Sequence, residues 1–154
     1  MESVYRDYLN DLAPMGTGVF PALSEFGHRE PDQFANWFGD SSAQLLTILK
    51  DDLPVGFAMV RSSRAPPDRD TLEYSMAEFF IARPWRRRGV GQAAVRLIFD
   101  RFAGRWHIKE YLRNPQAVAF WRRVVADYTA GRYRERGESG EMHQYFDSGT
   151  QRSR

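Results

Sequence analysis

The densest run of chemically useful residues is Arg86-Arg87-Arg88-Gly89-Val90-Gly91, three guanidinium groups followed by two glycines one residue apart. Glycine lets a backbone approach a ligand closely. The first N–H groups of a following helix are unpaired and carry the positive end of the helix dipole. Such a segment suits an anion, above all a phosphate or pyrophosphate. It is not a P-loop, because GxxxxGK[ST] occurs nowhere in the chain. The dinucleotide fingerprint is a nearer miss: Ala94 is tolerated as its third residue, and Glu110 follows about 20 residues on. That fingerprint belongs to a fold of repeated strand-helix-strand units, whereas this chain has one such unit between hairpins.

Other chemistries are excluded by what is missing. The sequence has no cysteine, so disulfides, cysteine nucleophiles and thiolate metal sites are ruled out. Its three histidines, His28, His107 and His143, lie far apart without ligand spacing, and the expectation is dispersed histidines and no metal. The formal net charge of +2 hides a strong asymmetry. Residues 1–82 carry 6 basic and 13 acidic side chains, residues 83–113 carry 9 and 2, and residues 114–154 carry 7 and 5. The basic third suits an anionic ligand, and the acidic part suits a cation.

The elements that position these groups follow from periodicity. Val4, Tyr5, Tyr8, Leu9 and Leu12 predict a short helix over Ser3–Leu12, and Phe34, Trp37 and Phe38 predict another within Asp32–Asp40, with loop between them. Gln44–Leu49 and Val55–Val60 read as a hairpin around Asp51-Asp52-Leu53-Pro54. Residues 61–70 read as a polar loop, Leu72–Ile81 as a strand closed by Pro84. Val90, Ala93, Ala94, Leu97, Ile98 and Phe102 then define an amphipathic helix ending near Gly104. Trp106–Leu112 is the next strand. Asn114-Pro115 opens a helix with Ala117, Val118, Phe120, Trp121, Val124 and Val125 on its apolar side. Two strands, Arg132–Arg136 and Glu141–Phe146, finish the chain around Gly-Glu-Ser-Gly. At 154 residues, 42% hydrophobic and 14% aromatic, the chain reads as a single α/β domain over 1–154. No apolar run reaches a bilayer's thickness and no signal peptide opens the chain, so the expectation is a cytoplasmic protein without a membrane partner.

The run Glu78-Phe79-Phe80-Ile81-Ala82-Arg83-Pro84-Trp85-Arg86-Arg87-Arg88-Gly89-Val90-Gly91, followed about 25 residues on by Asn114-Pro115-Gln116-Ala117-Val118-Ala119-Phe120-Trp121, resembles the GNAT superfamily of acetyl-CoA-dependent N-acetyltransferases. The first segment matches that family's Q/R-x-x-G-x-G/A motif, the second its N-x-x-A-x-x-F-Y pattern. The resemblance implies an α/β (α+β) fold: a mixed, mostly antiparallel sheet with a splayed central parallel strand pair and flanking helices. It further implies that backbone around Phe79 and Ile81 pairs with the pantetheine arm. Amides from Arg87 through Arg88, Gly89, Val90, Gly91 and Gln92 hold the pyrophosphate, and Arg86 fills the Q/R position. Asn114 orients the far side of the cleft, and Phe120 and Trp121 line it. Asn114 is equally an ordinary helix cap, and the two aromatics are equally core residues.

The activity this implies is direct attack by a primary amine on the acetyl thioester, with acetyl-CoA as cosubstrate and no metal. A base must accept the amine's proton. Glu78 is the candidate, because relatives often carry an acidic residue there; an exposed carboxylate paired with an arginine is its other reading. The tyrosine that many relatives use as acid is Trp121 here, and an indole N–H cannot supply a proton as a phenol can. Either thiolate release needs no protein acid, or Tyr111 or Tyr128 supplies it. Relatives usually begin with a strand, which this chain lacks, leaving an exposed sheet edge and the expectation of a homodimer. The acidic first half and the aromatics of residues 26–38 favour a small cationic amine as acceptor. A peptide or protein amine is the nearest rival, and a silent acyl-CoA sensor is a third reading. Nucleic acid is disfavoured, because net charge is low and no recognition motif occurs.

Overall fold

Ala43–Lys50 forms strand β1 and Leu53–Arg64 forms β2, joined by two residues, Asp51 and Asp52, with φ of 52° and 64°. Two successive left-handed residues make the tight turn whose twist matches antiparallel strands, and Asp tolerates that conformation. These strands belong to a computed structural model that describes residues 42–64 and 71–149. The helices expected over Ser3–Leu12 and Asp32–Asp40, and the sheet edge where a first strand would lie, fall outside the described residues.

Strand β2 is longer than its periodicity predicts, running on through Arg61–Arg64. Val55 through Val60 are all buried, so this strand is covered on both faces rather than one. Strand β3, Leu72–Ile81, has the expected bounds, and a single 3₁₀ turn over Arg83–Trp85 ends it at Pro84. Helix α1, Val90–Arg101, leads to β4, Arg105–Tyr111. Helix α2, Pro115–Thr129, is followed by β5, Arg134–Glu138, and β6, Glu141–Asp147. The strands form one six-stranded sheet in the order β1-β2-β3-β4-β6-β5. Strands β3 and β4 are parallel, with Glu73↔Arg105, Tyr74↔Trp106 and Ser75↔His107 in register, while β4–β6 and β5–β6 are antiparallel. This is the expected mixed sheet with a central parallel pair joined through a helix.

Two details differ from the sequence reading. Helix α1 buries Ala94 and Ile98 of the expected stripe, as does Phe102 just beyond it, but Val95 and Phe99 turn inward in place of Ala93 and Leu97, and Leu97 is 71% exposed. Val95, Ile98, Phe99 and Phe102 share the same spacing, and the larger Phe99 ring decides which stripe turns inward. The last turn is also tighter than four residues: Ser139 and Gly140, with φ of 51° and 78°, suffice, so Glu138 pairs directly with Glu141 and β5 starts two residues late.

The described residues divide into two compact units, one holding residues 42–60 and 77–90 and the other residues 61–64, 71–76 and 91–149. In the first, Phe57 packs on Phe80 with ring centroids 5.8 Å apart, beside Val55, Met59 and Val60. In the second, Phe99 is the hub, 4.8 Å from both Trp106 and Phe146 and 5.1 Å from Tyr128. Trp106 satisfies its buried indole by donating to the Phe102 carbonyl at 2.8 Å.

Candidate active site

The end of β3 is held by two contacts that its sequence supplies. The Ala82 N–H donates to the Val55 carbonyl at 2.7 Å, and Arg86 Nε donates to the Ile81 carbonyl at 2.7 Å. The Arg86 guanidinium also lies 5.2 Å from the Phe80 ring centroid. Arg86, placed by its motif position beside the cofactor, folds back onto the strand and braces it. Arg87 and Arg88 are exposed, and Arg88 sits over the Trp85 ring at 5.6 Å.

The turn between strand and helix is one of the places that hold backbone strain. Arg87 has φ 59° and Gly89 has φ 76°. Glycine takes that conformation freely, but for arginine it costs about 1 kcal/mol. Alternating left-handed residues aim successive N–H groups into one concavity, the arrangement that cradles anions. Helix α1 begins immediately afterwards at Val90, and the N–H groups of its first turn have no partner within the helix. The amides assigned to the pyrophosphate, Arg87 through Gln92, are therefore all in the turn or the first helical turn. The Gln92 side chain reaches Asp127 on α2 at 3.2 Å.

Glu78 lies on the same strand, three residues before the buried Ile81. Part of its surface stays accessible, yet its carboxyl is withdrawn enough that burial pushes its pKa up to about 8. A carboxyl raised into this range is suited to take a proton near neutral pH. Phe79 is half-buried beside it, and Phe80 and Ile81 are buried.

The second unit holds the remaining candidates. Asn114 caps α2, its Oδ1 accepting from the Ala117 N–H at 3.1 Å, with Pro115 at the first helical position. Asn114→Ala is expected to lower stability by about 1 kcal/mol through loss of this cap, read from urea denaturation. Trp121 is buried, and Phe120, half-buried, meets it edge-on at 5.1 Å. The Tyr128 hydroxyl donates to Asp100 Oδ1 at 2.8 Å, tying α2 to α1, while its ring packs edge-on against Phe99. Tyr111 ends β4 opposite Glu141 and keeps part of its surface accessible.

Two groupings here were not foreseen from sequence. Glu110 is buried on β4 and accepts from Gln144 Nε2 on β6 at 2.8 Å, while its Oε2 and Gln144 Oε1 are buried without a hydrogen-bond partner. Burial, partly offset by that hydrogen bond, pushes the Glu110 pKa up to about 7. A carboxyl raised on folding supports stability below its ordinary pKa and loses it as pH climbs through the folded value. The native protein should therefore lose about 3 kcal/mol from this group between pH 4.5 and 8. Glu110→Gln should lessen the slope by that amount in urea denaturation followed across the same range, since an amide keeps the shape and can donate to Gln144 Oε1.

The second grouping joins histidines that sequence places 36 residues apart. The β4–β6 pairing brings His107 Nε2 to 2.8 Å from His143 Nδ1, and His143 Nε2 lies 3.3 Å from Glu141 Oε2. Histidines at alternating positions of neighbouring strands were the available signal, but only the register brings them together. His28 lies outside the described residues. Among the described residues no group of three or more His, Cys, Asp or Glu is placed to hold a metal, and no helix is long and apolar enough to cross a membrane.

The chain matches the model of the Acetyltransferase (GNAT) family over residues 4–125, and it belongs to that family. Solved structures agree on the fold. An acetyltransferase from Thermus thermophilus superposes with a TM-score of 0.56 at 18% identity, covering 75% of this chain and 71% of its own. A spermidine N-acetyltransferase chimera of Vibrio cholerae and hSSAT superposes with a TM-score of 0.61 at 11% identity, covering 97% and 93%. The chain in a KacTA–DNA complex gives a TM-score of 0.59 at 8% identity over 84% and 82%. No curated protein matches the chain by sequence.

Proposed function

We propose that this GNAT-family chain, acting over residues 1–154 as one domain, is an N-acetyltransferase that moves acetyl directly from acetyl-CoA to a primary amine of a small cationic molecule. The observation that carries this reading is the Arg86–Gly91 turn: two left-handed residues, exposed Arg87 and Arg88, and the start of α1, immediately after the strand that bears Glu78. The cradle fits the pyrophosphate of acetyl-CoA, which supplies an activated thioester when bound. The N–H groups of Arg87 through Gln92 hold its phosphates, and Arg86 keeps the Phe79–Ile81 segment straight by bracing the Ile81 carbonyl. Glu78, with a pKa near 8, takes the proton that the amine sheds on attack.

The Tyr128 hydroxyl is engaged with Asp100 and its ring with Phe99, which is a structural duty between two helices. Tyr111 retains an accessible hydroxyl-bearing ring, and expulsion of thiolate without a protein acid is the simpler route, because a thiolate is already a fair leaving group. With no cysteine in the chain, no cysteine acyl-enzyme lies on the path. The acidic balance of residues 1–82 supports a cationic acceptor. The spermidine N-acetyltransferase chimera shares the fold and acts on such a cation by its name.

Incubation with acetyl-CoA and an amine panel, following release of free thiol, tests the reading. Turnover with polyamines or other small cations is expected. Turnover confined to peptide amines would transfer the assignment to a protein acetyltransferase, and acetyl-CoA binding without turnover on any amine would make the chain a sensor.

A further inference from the structure

The face of the sheet formed by β4, β6 and β5 carries a feature unused by acetyl transfer. Register places His107, Tyr145 and Arg134 side by side on three adjacent strands. The His107 and Tyr145 rings are stacked, with centroids 4.6 Å apart and planes 4° from parallel, and the Arg134 guanidinium lies 5.9 Å from the Tyr145 ring centroid. This row borders a concavity of about 680 Å³, within the range of small-molecule sites, that Glu73, Arg105 and Asp147 also line. Glu73 is the second residue of β3, at the opposite end of that strand from Ile81 and the cofactor turn.

Charge and shape in this hollow select a ligand class. Its two carboxylates are engaged within the protein: Glu73 with Arg105 at 3.7 Å, and Asp147 Oδ1 with the Gly149 N–H at 2.8 Å. Arg134 presents its planar, five-donor guanidinium beside the aromatic stack, a group suited to bidentate capture of a carboxylate or phosphate. The His107 ring is fixed in place by the chain through His143 to Glu141, so the flat wall is formed before any ligand arrives. A planar ring would extend the His107–Tyr145 stack, and its anionic substituent would meet Arg134.

We propose that this concavity is a second ligand site, distinct from the cofactor turn, for a planar aromatic ring bearing one anionic group, and that Tyr145 and Arg134 are its principal contacts. Benzoate and adenosine monophosphate carry this chemistry on a carboxylate and on a phosphate, so their relative affinities show which source fits.

Each probe is titrated into the full chain without CoA, whose own adenine and phosphates carry the probed chemistry, and amide chemical shifts are followed by NMR. Saturable shifts at Trp106, His107 and Tyr145 are expected for at least one probe at millimolar concentration. Cyclohexanecarboxylate, an anion without a flat ring, and benzamide, a ring without charge, should bind about tenfold or more weakly. Arg134→Gln and Tyr145→Leu should each weaken the better probe about tenfold, and exposed Arg134 keeps that variant folded. Absence of saturable shifts for both probes, equal binding of cyclohexanecarboxylate, or unchanged affinity in Arg134→Gln overturns the proposal.

Discussion

Glu78→Gln is expected to lower kcat by about 10²- to 10⁴-fold while leaving acetyl-CoA affinity unchanged, because it removes a proton acceptor without removing a cofactor contact. The same substitution should raise stability. With its pKa pushed up to about 8, Glu78 supports the fold below its ordinary pKa, and that support is lost as pH rises through 8. Native protein therefore loses stability between pH 4.5 and 8, and the Gln variant loses less. In the native enzyme kcat should rise about tenfold per pH unit up to pH 8 and then level, as an acceptor that is mostly protonated at neutral pH requires. A dead enzyme that is more stable at pH 8 is a combination that a merely structural glutamate would not produce. Retained activity with an unchanged pH profile would move the base elsewhere.

The second large effect lies one strand away. A Cβ placed on Gly56 would stand 2.2 Å from the Phe80 carbonyl oxygen and 3.2 Å from Ile81 Cα. Both neighbours are backbone atoms, so relief requires β2 and β3 to move apart where Phe80 and Ile81 lead into the cofactor turn. Gly56→Ala should cost about 3 kcal/mol in urea denaturation, the upper part of the range for overpacking a buried site. Because the displaced segment includes the backbone assigned to the pantetheine arm, KM for acetyl-CoA should rise as well. A variant as stable as the native protein would show that the two strands separate freely there.

Much of this architecture is legible in the residues. Leu72–Ile81 has its expected bounds because a long β-prone run ends at Pro84, and α2 starts at Asn114-Pro115 because cap and first-turn residue are both present. The order hairpin, strand, helix, strand, helix, hairpin carries over to the sheet. Elsewhere local signals were degenerate. Two overlapping apolar stripes of α1 share Ile98 and Phe102, and only the partner cluster of Trp106, Phe146 and Tyr128 selects Phe99 over Leu97 for the inner face. Polar residues Arg61–Arg64 extend β2 because pairing overrides composition at a strand end.

The site divides along the same line. The Arg86–Gly91 turn announces itself by composition, and its left-handed residues fit that reading. The duty of Arg86 as a brace on Ile81 depends on a side chain folding back, which spacing does not encode. Glu78 stands out by position, but the rise of its pKa comes from tertiary burial. Glu110 with Gln144, and His107 with His143, meet only through the β4–β6 register, so neither pair is visible along the chain.

Calorimetric titration of the chain with acetyl-CoA, set against S-acetyl-pantetheine, tests the anion cradle on which the acetyltransferase assignment rests. The two thioesters share the acetyl-pantetheine arm and differ by the phosphates and adenosine, so their difference reads the turn. Acetyl-CoA should bind one to one and about a hundredfold more tightly than S-acetyl-pantetheine, as expected when several charge-assisted hydrogen bonds are lost together. Equal affinities, or no binding of acetyl-CoA, would contradict the assignment of Arg87 through Gln92 as its pyrophosphate site.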